Sequence, residues 1–475
     1  MSDIKQAEST APEALAEGVE IELTVEKLAH GGQGLGRMGG MVVFVDRGLP
    51  GQRVRAVIER RKKRHAEAHT TALLSEPDNP AEPFCAHFGA CGGCLWQDLD
   101  MAAQRGWKKR FVEESYAKIG GLEGVVVEEC LASPESTYYR NKMEFAFGVH
   151  PDEGLALGLF RRGSHEVLSI VECHLQSPRT AEIVGFVRDY CRRGSLEVFD
   201  AEARRGFWRF CNLRVNERGE FQVNLITADD ESHAGLIRKL AESLMKTFVE
   251  VVSVVHSVRR HKAAVALGER VVAEYGALKL PMQLGPLELE VSPNGFFQPN
   301  THGAVVLYDT VAGMAGLTGK ELVWDVFCGS GGLGLAIASG PDVAPARRLV
   351  GFEITREAVR DARANAERLE RSPDWTMPRD GAEFRAGDVR KMLFKERELA
   401  DVAVVDPPRA GLPQEIAEAL AESGPDRIVY VSCNPATQAR DLGLMQTNYR
   451  VERAAPVDLF PHTPHVECAA LLIRK

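Results

Sequence analysis

The chain of 475 residues contains no run of about 18 apolar side chains, so no membrane-spanning helix is expected. Its first 29 residues carry seven acidic side chains and only two basic ones, the wrong sign for a secretory leader. Cysteine is sparse. Ten of them, without an export signal, read as reduced thiols, metal ligands or catalytic groups rather than a disulfide framework. Internal repeats and low-complexity tracts are missing. With 44% hydrophobic and 26% charged residues, the composition excludes wholesale disorder and a collagen-like rod. The expected setting is the cytoplasm and the default state a monomer. At about 150 residues per domain, the length suggests roughly three domains.

An overall positive excess is also lacking: 58 Lys and Arg stand against 67 Asp and Glu, a net −9. Taken alone, that argues against a nucleic-acid partner. The local distribution argues the other way. Residues 51–70 hold seven cations (Arg53, Arg55, Arg60, Arg61, Lys62, Lys63, Arg64) against Glu59 and Glu67. Further basic clusters are Arg105/Lys108/Lys109/Arg110, Arg161/Arg162, Arg204/Arg205/Arg209 and Arg259/Arg260/Lys262. Phosphate binding needs a local stripe of positive charge, not a global one.

Along the chain, residues 1–17 are Ala/Glu/Ser-rich, without periodicity, and read as a disordered tail. From Val19 short alternating strands (19–25, 41–45, 54–58) are separated by glycine turns at 31–40 and 49–51. That spacing predicts a small β-barrel over 18–76, whose basic rim suits RNA. A cysteine-bearing loop spans 79–94, and a helix is expected over 101–120. Residues 138–292 mix strands and helices without a βαβ rhythm. From Leu322 apolar strands (322–326, 348–352, 402–405, 427–431) alternate with helical segments (333–339, 356–370, 413–422, 436–446). This is the signature of a doubly wound, Rossmann-like α/β sheet.

Asp325-Val-Phe-Cys-Gly-Ser-Gly331 follows the first of these strands and opens a helix, so glycines let the backbone approach a ligand. Glu353 ends the next strand, 22 residues after Gly331, where a carboxylate can accept from both hydroxyls of a ribose. Asp388 ends the third strand region and suits an adenine edge. A hydride-transfer enzyme would want similar features. Asp406-Pro-Pro-Arg409 at the end of the fourth strand discriminates, because it places an acid where a methyl donor meets its acceptor. The pattern looks like a class I S-adenosylmethionine methyltransferase. Arg409 stands where amine-methylating enzymes usually carry an aromatic residue, which disfavours an exocyclic amine as acceptor.

Ser432-Cys433-Asn434-Pro435 follows the fifth strand and leads into a helix. A helix N-terminus and Arg409 are both expected to lower the Cys433 pKa. Cys328 lies inside the presumed cofactor loop and is not a candidate nucleophile. Uracil C5 attacks a methyl sulfonium poorly until a thiolate adds at C6, and a base must then remove the C5 proton. Glu467, in Pro464-His-Val-Glu467 beside an apolar strand and with His462 and His465 nearby, suits that base through a raised pKa.

Together these residues resemble the uracil-C5 RNA methyltransferases, most closely the 23S rRNA type with an N-terminal TRAM domain. The motifs are Phe296-Phe-Gln298-Pro-Asn300, Asp325-Val-Phe-Cys-Gly-Ser-Gly331, Val405-Asp-Pro-Pro-Arg-Ala-Gly-Leu412, Tyr430-Val-Ser-Cys-Asn-Pro435 with Ala439-Arg-Asp441, and Phe460-Pro-His-Thr-Pro-His-Val-Glu467. The resemblance covers nearly everything after residue 18. It implies Cys433 as nucleophile, Glu467 as proton acceptor, and Gln298, Phe327, Glu353, Asp406 and, less directly, Asp388 as S-adenosylmethionine contacts. Gly332 departs from relatives that carry Thr or Asn there. Cys85, Cys91 and Cys94, with Cys173 as a fourth thiol, could hold zinc or a four-iron, four-sulfur cluster by spacing; the resemblance implies the cluster. Cys130, Cys191, Cys211 and Cys468 read as core.

The resulting expectation is a TRAM barrel (18–76), a central domain with the cluster and an RNA-binding surface (77–290), and a catalytic domain (291–475). It methylates C5 of a uridine, with 23S rRNA expected because transfer-RNA members generally lack the barrel and the cysteine quartet. Uracil-C5 methylation of tRNA and a relic RNA-binding assembly factor are the alternatives. Cytosine-C5 methylation is disfavoured because residues 404–411 contain no cysteine.

Overall fold

The computed structural model describes every residue except 1–14, 342–343, 394 and 397. The expected tail therefore lies outside the described residues up to position 14. Leu15 belongs to the fold, buried in the first hydrophobic core with Ile21, Leu23, Val43, Val54 and Ile58.

That core lies inside a curled, six-stranded OB-like sheet built from Glu20–Thr24, Lys27–Leu28, Gly34–Met38, Met41–Val45, Arg53–Arg61 and His65–Leu73. In space the strands run first, fifth, sixth, fourth, third, second. Three of them are absent from the sequence reading: the two-residue Lys27–Leu28, Gly34–Met38 and His65–Leu73. Gly34–Met38 has the glycines of a turn but forms a strand, because a side chain would block the curl. A Cβ at Gly36 would sit 2.4 Å from the Thr24 carbonyl oxygen, and one at Gly34 would sit 2.8 Å from that of Gly48. His65–Leu73 alternates inward Ala66 and Ala68 with polar residues, a pattern too weakly apolar to announce itself.

The sheet leans on the helix Met101–Ser115, whose N-terminus is capped by the Asp100 carboxylate. Leu28 and Leu49 pack there against Trp96, Leu99, Trp107 and Phe111. A second, seven-stranded sheet runs from Lys142 to Gly276. Its strands are antiparallel except for Phe221–Thr227 beside Val251–Val258, which are connected through the helix Ala234–Thr247. This one crossover is why no βαβ rhythm shows in the sequence.

The C-terminal sheet follows the expected order of elements. We label its strands β1 (Leu322–Val326), β2 (Arg348–Glu353), β3 (Ala382–Ala386), β4 (Val402–Val405), β5 (Arg427–Ser432), β6 (Tyr449–Val457) and β7 (Glu467–Arg474). Helices α1 (Gly332–Ala338), α2 (Arg356–Glu370), α3 (Val389–Leu393), α4 (Gln414–Ser423) and α5 (Pro435–Met445) connect or flank them. The spatial order is β3-β2-β1-β4-β5-β7-β6, with the short strand Val126–Val127 added outside β6. β1 and β4 are buried along their whole length. Val323 faces one apolar layer, and Leu322, Trp324 and Val326 face the other, as a sheet covered on both sides requires. The fold is a Rossmann-like α/β sheet preceded by a curled OB-like sheet.

The iron–sulfur expectation is overturned. Cys85, Cys91, Cys94 and Cys173 do line one small cavity, with Phe88, Leu159, Ile170 and Leu175. Among the described residues, however, no group of three or more His, Cys, Asp or Glu side chains is disposed to hold a metal ion. Neither the cluster nor zinc is supported. Burial raises the pKa of all four thiols, Cys94 to about 12, so the neutral form packs as a small apolar side chain. The cysteine loop is fastened by hydrogen bonds instead. Gly92 N–H donates to the Phe160 carbonyl (2.9 Å), Arg162 N–H to that of Ala90 (2.9 Å), and Ala86 N–H to Glu172 Oε1 (2.6 Å).

Candidate active site

The C-terminal ends of β1, β2, β4 and β5 bring together most of the residues singled out in the sequence. β7 runs antiparallel to β5 in a register that pairs Ser432 with Cys468. Continuing that register by one residue sets Cys433 opposite Glu467. Directly opposed residues have Cβ atoms about 5 Å apart. Asp406 follows Val405, which pairs with Tyr430 of β5, and so enters from the other side. Thiol, base and acid thus converge from three neighbouring strands.

Local sequence holds Cys433 in place. Ser432 Oγ accepts the Asn434 N–H (3.1 Å), and the Asn434 side chain caps α5 by accepting from Ala436 N–H (3.1 Å). Asn434 Nδ2 and Thr437 Oγ1 both donate to the Arg409 carbonyl (3.3 Å each), tying the Asp-Pro-Pro-Arg loop to the cysteine loop. Asp441, fully buried, accepts from the Leu412 N–H (2.7 Å) and the Tyr430 hydroxyl (2.6 Å), which fixes the far end of the same loop.

The electrostatics differ from the sequence expectation for the thiol. Burial, Glu467 and Asp406 push Cys433 up to about 11; Arg409 pulls it down but does not prevail. The lowered pKa inferred from a helix N-terminus and one arginine fails because burial of the thiol, reinforced by Glu467 and Asp406, outweighs them. Glu467, only 5% exposed, is raised well above the carboxylate range by burial and by Asp406, again opposed by Arg409. This matches the direction expected for it. Burial pushes Asp406 up to about 7.

At the cofactor end, Glu353 closes β2 with its carboxylate accepting from Gly329 N–H (3.3 Å) and Thr355 N–H (2.7 Å). Phe327 adopts φ 69°, a left-handed conformation that non-glycine residues avoid. Gly329, at φ 51°, has nothing within 4 Å of a Cβ position, so open space lies over the loop. Asp325 accepts from Gly334 N–H (3.0 Å) through one oxygen, while its other oxygen is buried without a partner. Burial and the Asp406 charge raise it to about 7. An orphaned acceptor, a ribose-reach carboxylate and open space above a glycine loop fit an adenosyl cofactor. Gln298 is buried with its carbonyl accepting from Asn141 Nδ2 (2.7 Å). Asp388 sits at the end of β3, but it accepts from Lys391 N–H (3.3 Å) and lies 3.7 Å from Arg390, so its carboxylate also serves α3.

Tyr308 was not singled out from the sequence. Its ring comes from the apolar helix Thr301–Ala315, and its hydroxyl shares a hydrogen bond with the Gln298 side chain. It feels Asp406, Asp325 and Glu467 at once. A Cβ at Gly332 would lie 3.6 Å from that hydroxyl and 3.3 Å from Leu289 Cδ1. The space that a Thr or Asn would use is therefore lined by Tyr308. Nothing in a helical apolar pattern marks such a tyrosine.

The loop leading to Glu467 is gripped from outside the sheet. Lys108 and Asp458 form a fully buried ion pair, and Lys108 Nζ also donates to the Phe460 carbonyl (3.0 Å). Tyr139 donates to the Pro461 carbonyl (3.1 Å), and His462 N–H donates to Gln104 Oε1 (2.8 Å). His462 is buried in this loop at φ 65°, and burial lowers its pKa. His465 is exposed at the rim. The first sheet reaches this loop too: a Cβ at Gly32 would lie 3.0 Å from Pro464 Cγ.

Comparison with known proteins agrees with this geometry. Residues 227–475 match the model of the tRNA (uracil-5-)-methyltransferase family, and residues 15–71 match that of the TRAM domain. An uncharacterized RNA methyltransferase of Nitratidesulfovibrio vulgaris is 42% identical, covering 98% of each chain. Another, from Bacteroides thetaiotaomicron, is 34% identical over 94% of this chain and 99% of its own. Among solved structures, the Pyrococcus abyssi tRNA (uracil-54, C5)-methyltransferase in complex with S-adenosyl-L-homocysteine is similar, with a TM-score of 0.71 and 26% identity. It covers 95% of this chain and 100% of its own. With its TRAM domain and its S-adenosylmethionine-dependent catalytic sheet, the chain belongs to the tRNA (uracil-5-)-methyltransferase family.

Proposed function

We propose that the protein methylates C5 of a uridine in transfer RNA, with Cys433 as nucleophile and Glu467 as the base. The placement of Cys433 and Glu467 just beyond the Ser432–Cys468 pair of β5 and β7, where the Glu467 charge acts on the thiol and Arg409 on both, carries this reading. The choice of RNA rests on the Pyrococcus tRNA enzyme, which matches 95% of this chain, the N-terminal sheet included. That match removes the barrel as an argument for ribosomal RNA.

Cys433 gives up its proton to solvent, and the thiolate bonds to C6 of the uracil as the C5–C6 π electrons move onto C5 and the neighbouring carbonyl, which makes C5 nucleophilic. S-adenosylmethionine, held by Gln298, Phe327, Glu353, Asp406 and Asp388, supplies the methyl group when bound. Glu467, as carboxylate, takes the C5 proton; the C6–S bond then breaks and Cys433 leaves as thiolate. Since burial favours the neutral form of both groups, Arg409 is the residue that keeps thiolate and carboxylate within reach. The target base must leave its stack to reach a half-buried thiol.

The test is covalent trapping. Transfer RNA carrying 5-fluorouridine should give an adduct that survives denaturing electrophoresis, since fluorine cannot leave as a proton. An adduct that persists in Cys433→Ala, or none in the wild type, overturns the assignment. Methyl transfer to a fragment of 23S rRNA in preference to tRNA overturns the choice of substrate.

A further inference from the structure

Two basic clusters far apart in the sequence meet in the fold. The strand Trp208–Val215 begins beside the end of Phe221–Thr227, and Thr227 in turn pairs with Val258. The loops that precede Trp208 and follow Val258 therefore share one end of the central sheet. Between them lies a groove lined by Phe199, Arg204, Arg260, His261 and Lys262, with no carboxylate in its lining.

The groove is built rather than incidental. Arg209, 5% exposed, donates to the carbonyls of Arg259 (2.9 Å) and Ala263 (3.0 Å), and its guanidinium lies 4.2 Å from the Phe199 ring centroid. Arg259, 9% exposed, donates to the Leu267 carbonyl (2.9 Å). Two buried guanidiniums thus hold a single loop by its oxygens. Glu269 holds the same loop by its nitrogens, accepting from Arg260 N–H (3.0 Å) and His261 N–H (3.1 Å). Arg260 is paired with Asp229, which Arg270 also engages at 3.0 Å. Among the described residues, neither Arg204 nor Lys262 has a carboxylate within 4.0 Å. Arg204 is held at φ 52° in a turn that the Asp200 carboxylate organises by accepting from Glu202 and Ala203 N–H.

Beyond its cationic tip the second loop runs toward the catalytic cavity. Gly268 N–H donates to Asn294 Oδ1 (3.1 Å), and Arg214 donates to the Gly295 carbonyl (2.7 Å). Phe296, 66% exposed, comes next, ahead of Gln298. We propose that this groove is a docking site for the phosphodiester backbone of the RNA substrate, with Arg204 and Lys262 as its phosphate contacts. The proposal deepens the function above and rests on RNA being the substrate. Preformed, unpaired cations beside a half-buried ring suit a ribose–phosphate chain, whose affinity comes from counterion release.

The experiment is filter binding of the full chain to an unmodified tRNA transcript over a series of salt concentrations. In R204Q/K262Q the dissociation constant should rise roughly tenfold, and the salt slope should become shallower by about one for each cation removed. Lys262→Arg should bind as the wild type does. A double control of the same charge change on the exposed helix face, K239Q/K246Q, should leave both quantities unchanged. An unaltered slope in R204Q/K262Q, or an equal loss in the control, overturns the proposal. Binding needs no methyl transfer, so a protein that shows these slopes yet methylates no uridine refutes the catalytic reading and leaves the groove standing.

Discussion

Two sets of thiols in this molecule, the Cys85/Cys91/Cys94/Cys173 quartet and Cys433, differ in what surrounds the sulfur. Around Cys94, Cys91, Cys85 and Cys173 the neighbours are Phe88, Leu159, Ile170 and Leu175, with His87, His174 and Glu172 in the same lining. Around Cys433 they are two carboxylates and a guanidinium. Both environments raise the thiol, Cys94 to about 12 and Cys433 to about 11. The raised value alone does not separate packing from chemistry. What separates them is that Arg409 acts on Cys433 and on Glu467 together, whereas Glu172 beside the quartet raises Cys85 and Cys173.

The largest expected break in that comparison is Cys433→Ala, which should lower tritium transfer from labelled S-adenosylmethionine at least about a thousandfold. Cys94→Ala should leave transfer within about twofold of wild type. Next comes Glu467→Gln, expected to slow turnover about a hundredfold or more. If Glu467 removes the C5 proton, this variant should accumulate RNA–protein adduct with ordinary tRNA, visible on a denaturing gel.

Arg409→Met sharpens the comparison through pH. Arg409 lowers the pKa of both Cys433 and Glu467, so its loss raises both. The alkaline-rising limb of kcat/KM should then move to higher pH by about one unit. A limb that stays put removes Arg409 from the electrostatics. Stability offers a further check. Asp325 and Asp406 are raised to about 7, so the folded protein holds protons that the unfolded chain releases above about 4. Stability is therefore fully present below about 4 and is lost as pH climbs toward 7, by at most about 1.4 kcal/mol per unit for each group. Asp325→Asn should flatten that slope in urea titrations. The smallest effect on turnover is expected from Gly36→Ala, remote from both cavities. It should cost about 1–3 kcal/mol of stability, read as a lower unfolding midpoint, through the clash with the Thr24 carbonyl.

Much of the catalytic sheet was legible along the chain because each βα unit is local. A buried parallel strand is a short apolar run, and the helix after it shows its own period; the expected strand 402–405 is β4 to the residue. Gly34–Met38 was misread because its glycines answer to a strand folded over them, not to a turn. The cysteine quartet was misread because spacing predicts proximity, and proximity in a cavity is not ligand geometry. Tyr308 carried no signal at all.

Residue order by itself determined the doubly wound core, the identity of the nucleophile and base candidates, and the glycine loop at the end of β1. These depend on local periodicity and on side-chain chemistry, both of which a linear string contains. Only the tertiary structure decided that β7 inserts antiparallel beside β5, which sets Glu467 across from Cys433. It also decided that burial, with two carboxylates beside it, outweighs one arginine at the thiol, and that the clusters at 204 and 260–262 line one groove. Each of those outcomes is a distance between residues remote in sequence, and Coulomb energy and hydrogen bonding depend on that distance.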